Sequence, residues 1–169
     1  MFLSDPDPGV HSAADLLLRR WKFDESLTNL NKDVAGKRST VDRWMVDKHG
    51  HTLSVVQGPV EFHMGSLSHT IDRNNQKEMR HRKRISRTFA VATREVTVEQ
   101  YLRFIPDFGY SYNQSRTVEC PINGTDWLDA AKYCRLLSES EGIPESEMCF
   151  PPVDEIKIGM HLPNDYLKR

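Results

Sequence analysis

Apolar and polar positions change their period several times along the chain, and each change predicts an element. In "DPDPGVHSAADLLLRRW" turn residues give way to a helical spacing that puts Leu17, Leu18 and Trp21 on one face. Ser12 and Asp15 stand as S-x-x-D, a capping box in which the hydroxyl accepts a first-turn amide and the carboxylate answers the cap. Residues 22–43 are polar, lack an apolar period and read as a linker. From Trp44 the pattern becomes strand-like, and "HTLSVV" (51–56) and "VEFHMGS" (60–66) flank Gly58-Pro59 as the arms of an expected hairpin. In the second arm Val60, Phe62 and Met64 share a face, with Glu61 and His63 on the other. Residues 67–83 read as a polar surface loop running into the basic stretch "RHRKR" at 80–84. A third strand is expected through "RISRTFAVATREV", with Ile85, Phe89 and Val91 on one face.

The period then switches to helix. In "TVEQYLRFI" (97–105) Val98, Tyr101, Leu102 and Ile105 follow the i, i+3, i+4, i+7 spacing, and Thr97 with Gln100 makes a second capping box. Residues 106–124 form an irregular connection. Thr125 is expected to cap a helix through Ser140, which Gly142 ends in the left-handed region. On it Trp127, Ala130, Ala131, Cys134 and Leu137 share an apolar face, and the tail beyond reads as loop. The expected organisation is an N-terminal helix and linker over 1–43 and a second region over 44–169.

Composition narrows the class. Charged residues make up 28% and apolar residues 38% of 169, as in a soluble globular protein. A net charge of −1 creates no general attraction to nucleic acid or a membrane surface. The longest apolar run, "FAVA" at 89–92, is far short of the roughly 20 residues that span a bilayer. "MFLSDPDPGV" has neither the basic nor the apolar part of a secretory leader. Three cysteines without close spacing argue against a disulfide framework, so a reducing cytoplasm is expected.

Candidate chemistry is sparse. Zinc sites draw ligands in closely spaced pairs, and Cys120, Cys134 and Cys149 have no such spacing with one another or with a histidine. Cys134, inside an apolar stripe, reads as a small hydrophobe, with a disulfide or a metal or catalytic role left as the weaker alternatives. His49 and His51 of "HGH" fall on one side of a strand but lack a third ligand at matching spacing. The basic run at 80–84 could neutralise phosphates, yet without interleaved aromatics it reads as a solvated loop. Asp126 and Asp129 complement the positive end of their helix. No nucleophile elbow, phosphate-binding loop or dinucleotide glycine motif occurs. From the residues alone, no catalytic, cofactor-binding or metal-ligating residue is expected.

Three segments in order carry a resemblance: "GPVEFHMGS" (58–66), "FAVATREVTVEQYLRF" (89–104) and "CPINGTDWLDAAKYCRLLSESEGIP" (120–144). Over about 44–169 the chain resembles the N-terminal portion of the formylglycine-generating sulfatase-modifying factor domain. The matching positions are Phe62 to Ser66; Glu95-Val96-Thr97 with Gln100, Tyr101 and Phe104; and Trp127, Asp129, Ala130, Ala131, Tyr133 and Cys134. The resemblance implies an irregular α+β fold with a C-type-lectin-like core. It also implies O2-dependent oxidation of a sulfatase cysteine to formylglycine, with copper held by two cysteines near the domain's C-terminal end and calcium supporting the fold. The opening segment is similar to one found upstream of such domains in large bacterial proteins, some with serine/threonine kinase domains.

Cys134 matches the helix motif and not the copper pair. The family's "G-x-R-L-P-T-E-A-E-W-E" segment and its metal ligands are not found among these residues. The expectation is therefore an incomplete domain, inactive alone, with no cofactor of its own. A protein or peptide substrate would come with completion and a kinase-containing protein is an expected associate, while no nucleic acid and no membrane partner is expected. The alternative is a non-catalytic C-type-lectin-like binding or sensory module tied to a bacterial signalling protein.

Overall fold

Helix α1 (Pro8–Arg20) starts before the expected capping box, because Asp7 offers a better cap. Its Oδ1 accepts the amides of Gly9 (2.7 Å) and Val10 (3.3 Å), and Pro8 occupies the first helical position, where no amide is needed. Ser12 and Asp15 consequently lie inside the helix and, with His11, form its buried side. Leu17 and Trp21 are left 47% and 63% exposed, the reverse of the apolar face that the spacing predicts. The computed structural model describes residues 5–34, 43–67, 69–71 and 78–160. It divides into two compact units, residues 1–93 and 94–169.

In the first unit a second helix, α2 (Asp24–Val34), occupies half of the stretch read as linker, and residues 35–42 of that stretch lie outside the described residues. Leu27 of α2 is buried, α1 packs on α2, and the two helices reach β2 and β1 respectively. Strands β1 (Trp44–Val46), β2 (Thr52–Val56) and β5 (Phe89–Ala92) form an antiparallel sheet in the order β1-β2-β5. Strands β3 (Val60–Met64) and β4 (His81–Ile85) form a separate antiparallel ribbon.

The hairpin expected over 51–66 is thus corrected. Both arms are strands, but β2 pairs with β1 and β5, whereas β3 pairs with β4. The connection between them presses against residues 87–88: a Cβ on Gly58 would stand 2.3 Å from the Arg87 carbonyl, and the Gly58 amide donates to Thr88 Oγ1 at 3.1 Å. The basic run expected in a loop lies mostly in β4, since a ladder partner can hold a polar segment extended whatever its propensity. The single strand expected through 84–96 is two, one in each sheet.

In the second unit α3 (Val98–Leu102) carries the expected capping box, with Gln100 N to Thr97 Oγ1 at 3.2 Å and Thr97 N to Gln100 Oε1 at 3.0 Å. Helix α4 (Trp127–Glu141) is capped by Asp126 instead of Thr125, reciprocally with Asp129, and ends at Gly142 with φ 78°. Between α3 and α4 the chain holds no helix or strand. Asn123 ties it together, accepting from the Ser111 amide and donating to the Ser111 carbonyl and to the buried Ser115 hydroxyl. Two short 3-10 turns, Glu145–Glu147 and Val153–Glu155, follow α4, and residues 161–169 of the expected loop tail lie outside the described residues.

The core of this unit is Val98, Tyr101, Ala131, Tyr133, Met148 and Ile156. The buried side of α4 is Ala131, Tyr133 and Arg135, rotated from the predicted stripe; Trp127 is 55% exposed and Cys134 is exposed too. Tyr133 turns inward because Tyr101 offers a stacking partner, and Arg135 because carboxylates and a carbonyl receive it. Cys134 is therefore not the core hydrophobe its spacing suggests. Helices beside small antiparallel sheets make the fold α+β, as expected. Among the described residues no helix is long and apolar enough to cross a membrane.

Candidate functional site

Among the described residues of the first unit, a buried polar cluster lies at the β1–β2 turn, Asp47-Lys48-His49-Gly50-His51. Gly50 takes φ 83°, a conformation that suits glycine, and lets the turn close. Asp47 and His51 are each 6% exposed. The carboxylate of Asp47 accepts the amides of His49 (2.9 Å) and His51 (2.8 Å) through Oδ1, and its Oδ2 meets His51 Nδ1 at 2.5 Å. Burial by itself would raise the Asp47 carboxyl. The hydrogen bond and charge of His51, with the two amides, outweigh it and hold the group below its ordinary value.

Beside the turn, His11 stacks on Trp44 with ring centroids 3.9 Å apart and its Nδ1 lies 3.2 Å from Thr52 Oγ1. Trp44 Nε1 donates to the Asp5 carbonyl at 2.8 Å, and buried Asp15 accepts from Arg19 Nε at 2.9 Å. A carboxylate on Nδ1 orients an imidazole as in acid–base dyads. Here, however, the ring is closed off, and the dyad clamps the turn.

The histidines read from sequence as neighbours on a strand are thus in a turn, where His51 points inward and His49 is half-buried. Asp47 was missed as their partner. Its signal is the Asp-x-x-Gly spacing, in which a short acidic side chain bonds the backbone of its own turn.

The other candidates are also engaged structurally. Asp126 and Asp129 cap α4. The basic residues of β4 are divided between the two sides of the ribbon, Arg82 and Arg84 with Glu61 and His63, Lys83 with Phe62 and Met64. Arg82 forms an ion pair with Glu61. Cys120 is half-buried beside Thr117, with Oγ1 to Sγ 3.4 Å; the Thr117 hydroxyl and amide and the Arg116 amide lower its thiol.

Burial first, and then the influence of Cys149, raise the Cys134 thiol. Cys134 belongs to the helix motif of the resemblance and not to its copper pair. Among the described residues no three His, Cys, Asp or Glu side chains converge on a possible metal position.

The residues of the resemblance take up scaffold positions. Thr97 and Gln100 cap α3, the Val96 carbonyl accepts from Ile122, Tyr101 stacks on Tyr133, and Asp129 answers the α4 cap. The model of the sulfatase-modifying factor enzyme 1-like domain matches residues 37–166, which take in all three segments. The chain belongs to this family. Within the family match, β1 to β5 and the whole of α3 and α4 are included, while α1 and α2 precede it. Among solved structures the chain is similar to PvdO from Pseudomonas aeruginosa, at 19% identity and a TM-score of 0.47 over 59% of this chain. That likeness spans 44% of PvdO. No curated protein matches the chain.

Proposed function

We propose that residues 1–169 supply scaffold for a formylglycine-generating domain, whose O2-dependent oxidation of a sulfatase cysteine relies on groups other than Cys120, Cys134 and Cys149. The observation that carries this reading is that the family-signature residues of α3 and α4 are engaged in caps and ring contacts. With it come the expectations of a C-type-lectin-like core, a bacterial cytoplasmic setting and a protein or peptide substrate. The test is incubation of the chain with copper, O2 and a Cys-x-Pro-x-Arg peptide, followed by mass spectrometry. The peptide thiol should survive; steady conversion to the aldehyde by this chain alone overturns the reading.

A second reading, a non-catalytic binding or sensory module tied to a kinase-containing protein, is favoured by the β3–β4 ribbon. Phe62 and Met64 are 42% and 53% exposed there, beside Lys83. A face mixing apolar and cationic groups suits a protein partner better than nucleic acid. This reading requires residues 1–169 to unfold in one sharp thermal transition; a broad, non-cooperative melt counts against it.

A further inference from the structure

Cys134 and Cys149 are exposed, whereas Cys120 is half-buried. After Gly142 the chain doubles back along α4. Glu145 accepts from the two terminal guanidinium nitrogens of Arg135, at 3.0 Å (Nη1) and 2.7 Å (Nη2). Five residues on, the Phe150 carbonyl accepts from Arg135 Nη1 at 2.8 Å, and the Phe150 ring meets Trp127 edge-on at 5.9 Å. Residues 145–150 thus run antiparallel beside α4, from the level of Arg135 and Glu139 toward its first turn.

That course brings Cys149, just before Phe150, to the part of α4 that carries Cys134, just before Arg135. Met148 turns into the core at 3% exposure, so its neighbour Cys149 is left on the open side. The influence of the Cys149 sulfur on the Cys134 thiol agrees with this juxtaposition.

We propose that Cys134 and Cys149 form a modification site, a thiol pair that closes to an intrachain disulfide by exchange with a small-molecule disulfide such as glutathione disulfide. The first attack is assigned to Cys149, which lies on the open side of its segment. Its thiolate bonds one sulfur of glutathione disulfide and expels one glutathione thiolate. Cys134 then loses its proton to water, attacks the Cys149 sulfur and expels the second glutathione. Two protein thiols are oxidised and one small disulfide is reduced to two thiols. The product ties residues 145–150 covalently to α4.

Thiol titration and peptide mapping of residues 1–169 treated with glutathione disulfide test the site. Free thiols should fall from three to one, with Cys134 and Cys149 in one linked peptide and Cys120 free, and dithiothreitol should restore all three. Cys134→Ser should stop at glutathione bound to Cys149. Three unchanged thiols, a stable glutathione adduct on wild-type Cys149, or a link through Cys120 or between chains overturns the proposal. So does closure at an equal rate in guanidinium, which would assign the link to sequence proximity and not to the fold.

Discussion

Tyr101 and Tyr133 stack nearly parallel, with ring centroids 5.1 Å apart and planes 12° from each other, and so join α3 to α4. Both are buried, at 2% and 4% exposure. Phe108 tilts against Tyr101 and Phe104 stands edge-on to Tyr133, so the second unit's core is organised by rings. Tyr133→Ala removes a fully packed ring, and its loss should cost about 3–5 kcal/mol. Urea unfolding of the chain measures this; Tyr133→Phe should lose far less.

The phenol of Tyr101 is raised to about 12, by burial first and then by the charges of Asp129 and Asp126. A group raised on folding stabilises fully below its unfolded value, and that contribution disappears as pH rises to the folded one. The second unit should therefore weaken between pH 10 and about 12. Tyr101→Phe should flatten that alkaline fall, as followed by near-ultraviolet dichroism across the window. An unchanged slope in the variant would contradict this assignment.

Asp47 has the opposite sign. Its carboxyl is lowered on folding, so its contribution is complete above the ordinary value of 3.8 and is lost as pH falls through the lower folded value. Asp47→Ala leaves two amides and an imidazole without their acceptor and should destabilise the first unit by about 1–3 kcal/mol at neutral pH. In acid the wild type should approach the variant. Denaturant midpoints at neutral and acid pH make the comparison.

Arg135 is 5% exposed yet bonds Glu139, Glu145 and the Phe150 carbonyl. Because Glu139 and Glu145 are themselves 43% and 63% exposed, water can take them over when the guanidinium is removed. Arg135→Met should cost about 2–3 kcal/mol, chiefly through the carbonyl and the charge-assisted bonds. Lysine should recover only part, since it lacks the planar fork. Hydrogen exchange should rise first in residues 143–150.

Gly65 has φ 100°, and a Cβ there would stand 2.7 Å from the Met79 carbonyl oxygen. Backbone cannot yield as a flexible side chain does. Gly65→Ala should loosen the β3–β4 ribbon by more than about 1 kcal/mol. Amide exchange of Phe62 to Met64 should accelerate while that of β1, β2 and β5 holds.

Thr97 with Gln100 shows which parts of the fold were legible. A capping box needs only residues three apart, so letters suffice to place it; the same holds for Gly142, whose left-handed turn follows from lacking a Cβ. The cap of α4 was misplaced by one residue, because Thr125 and Asp126 are both good caps and only the backbone path chooses between them. Of the β1–β2 turn, its histidines were noticed and its buried carboxylate was not. An aspartate looks alike on paper whether it is solvated or enclosed.

Sequence by itself determined where the chain is helical around 98–102 and 127–141, which segments can be extended, and the family signature across 58–144, all of them properties of neighbours along the chain. Only the tertiary structure decided that β3 joins β4 and not β2, that α1 turns His11 and Asp15 inward, and that α4 buries Arg135 while leaving Cys134 in the open. The physical reason is that these choices depend on partners distant in sequence. A buried polar group is tolerated only where a hydrogen-bonding partner already stands, and no local period records that partner.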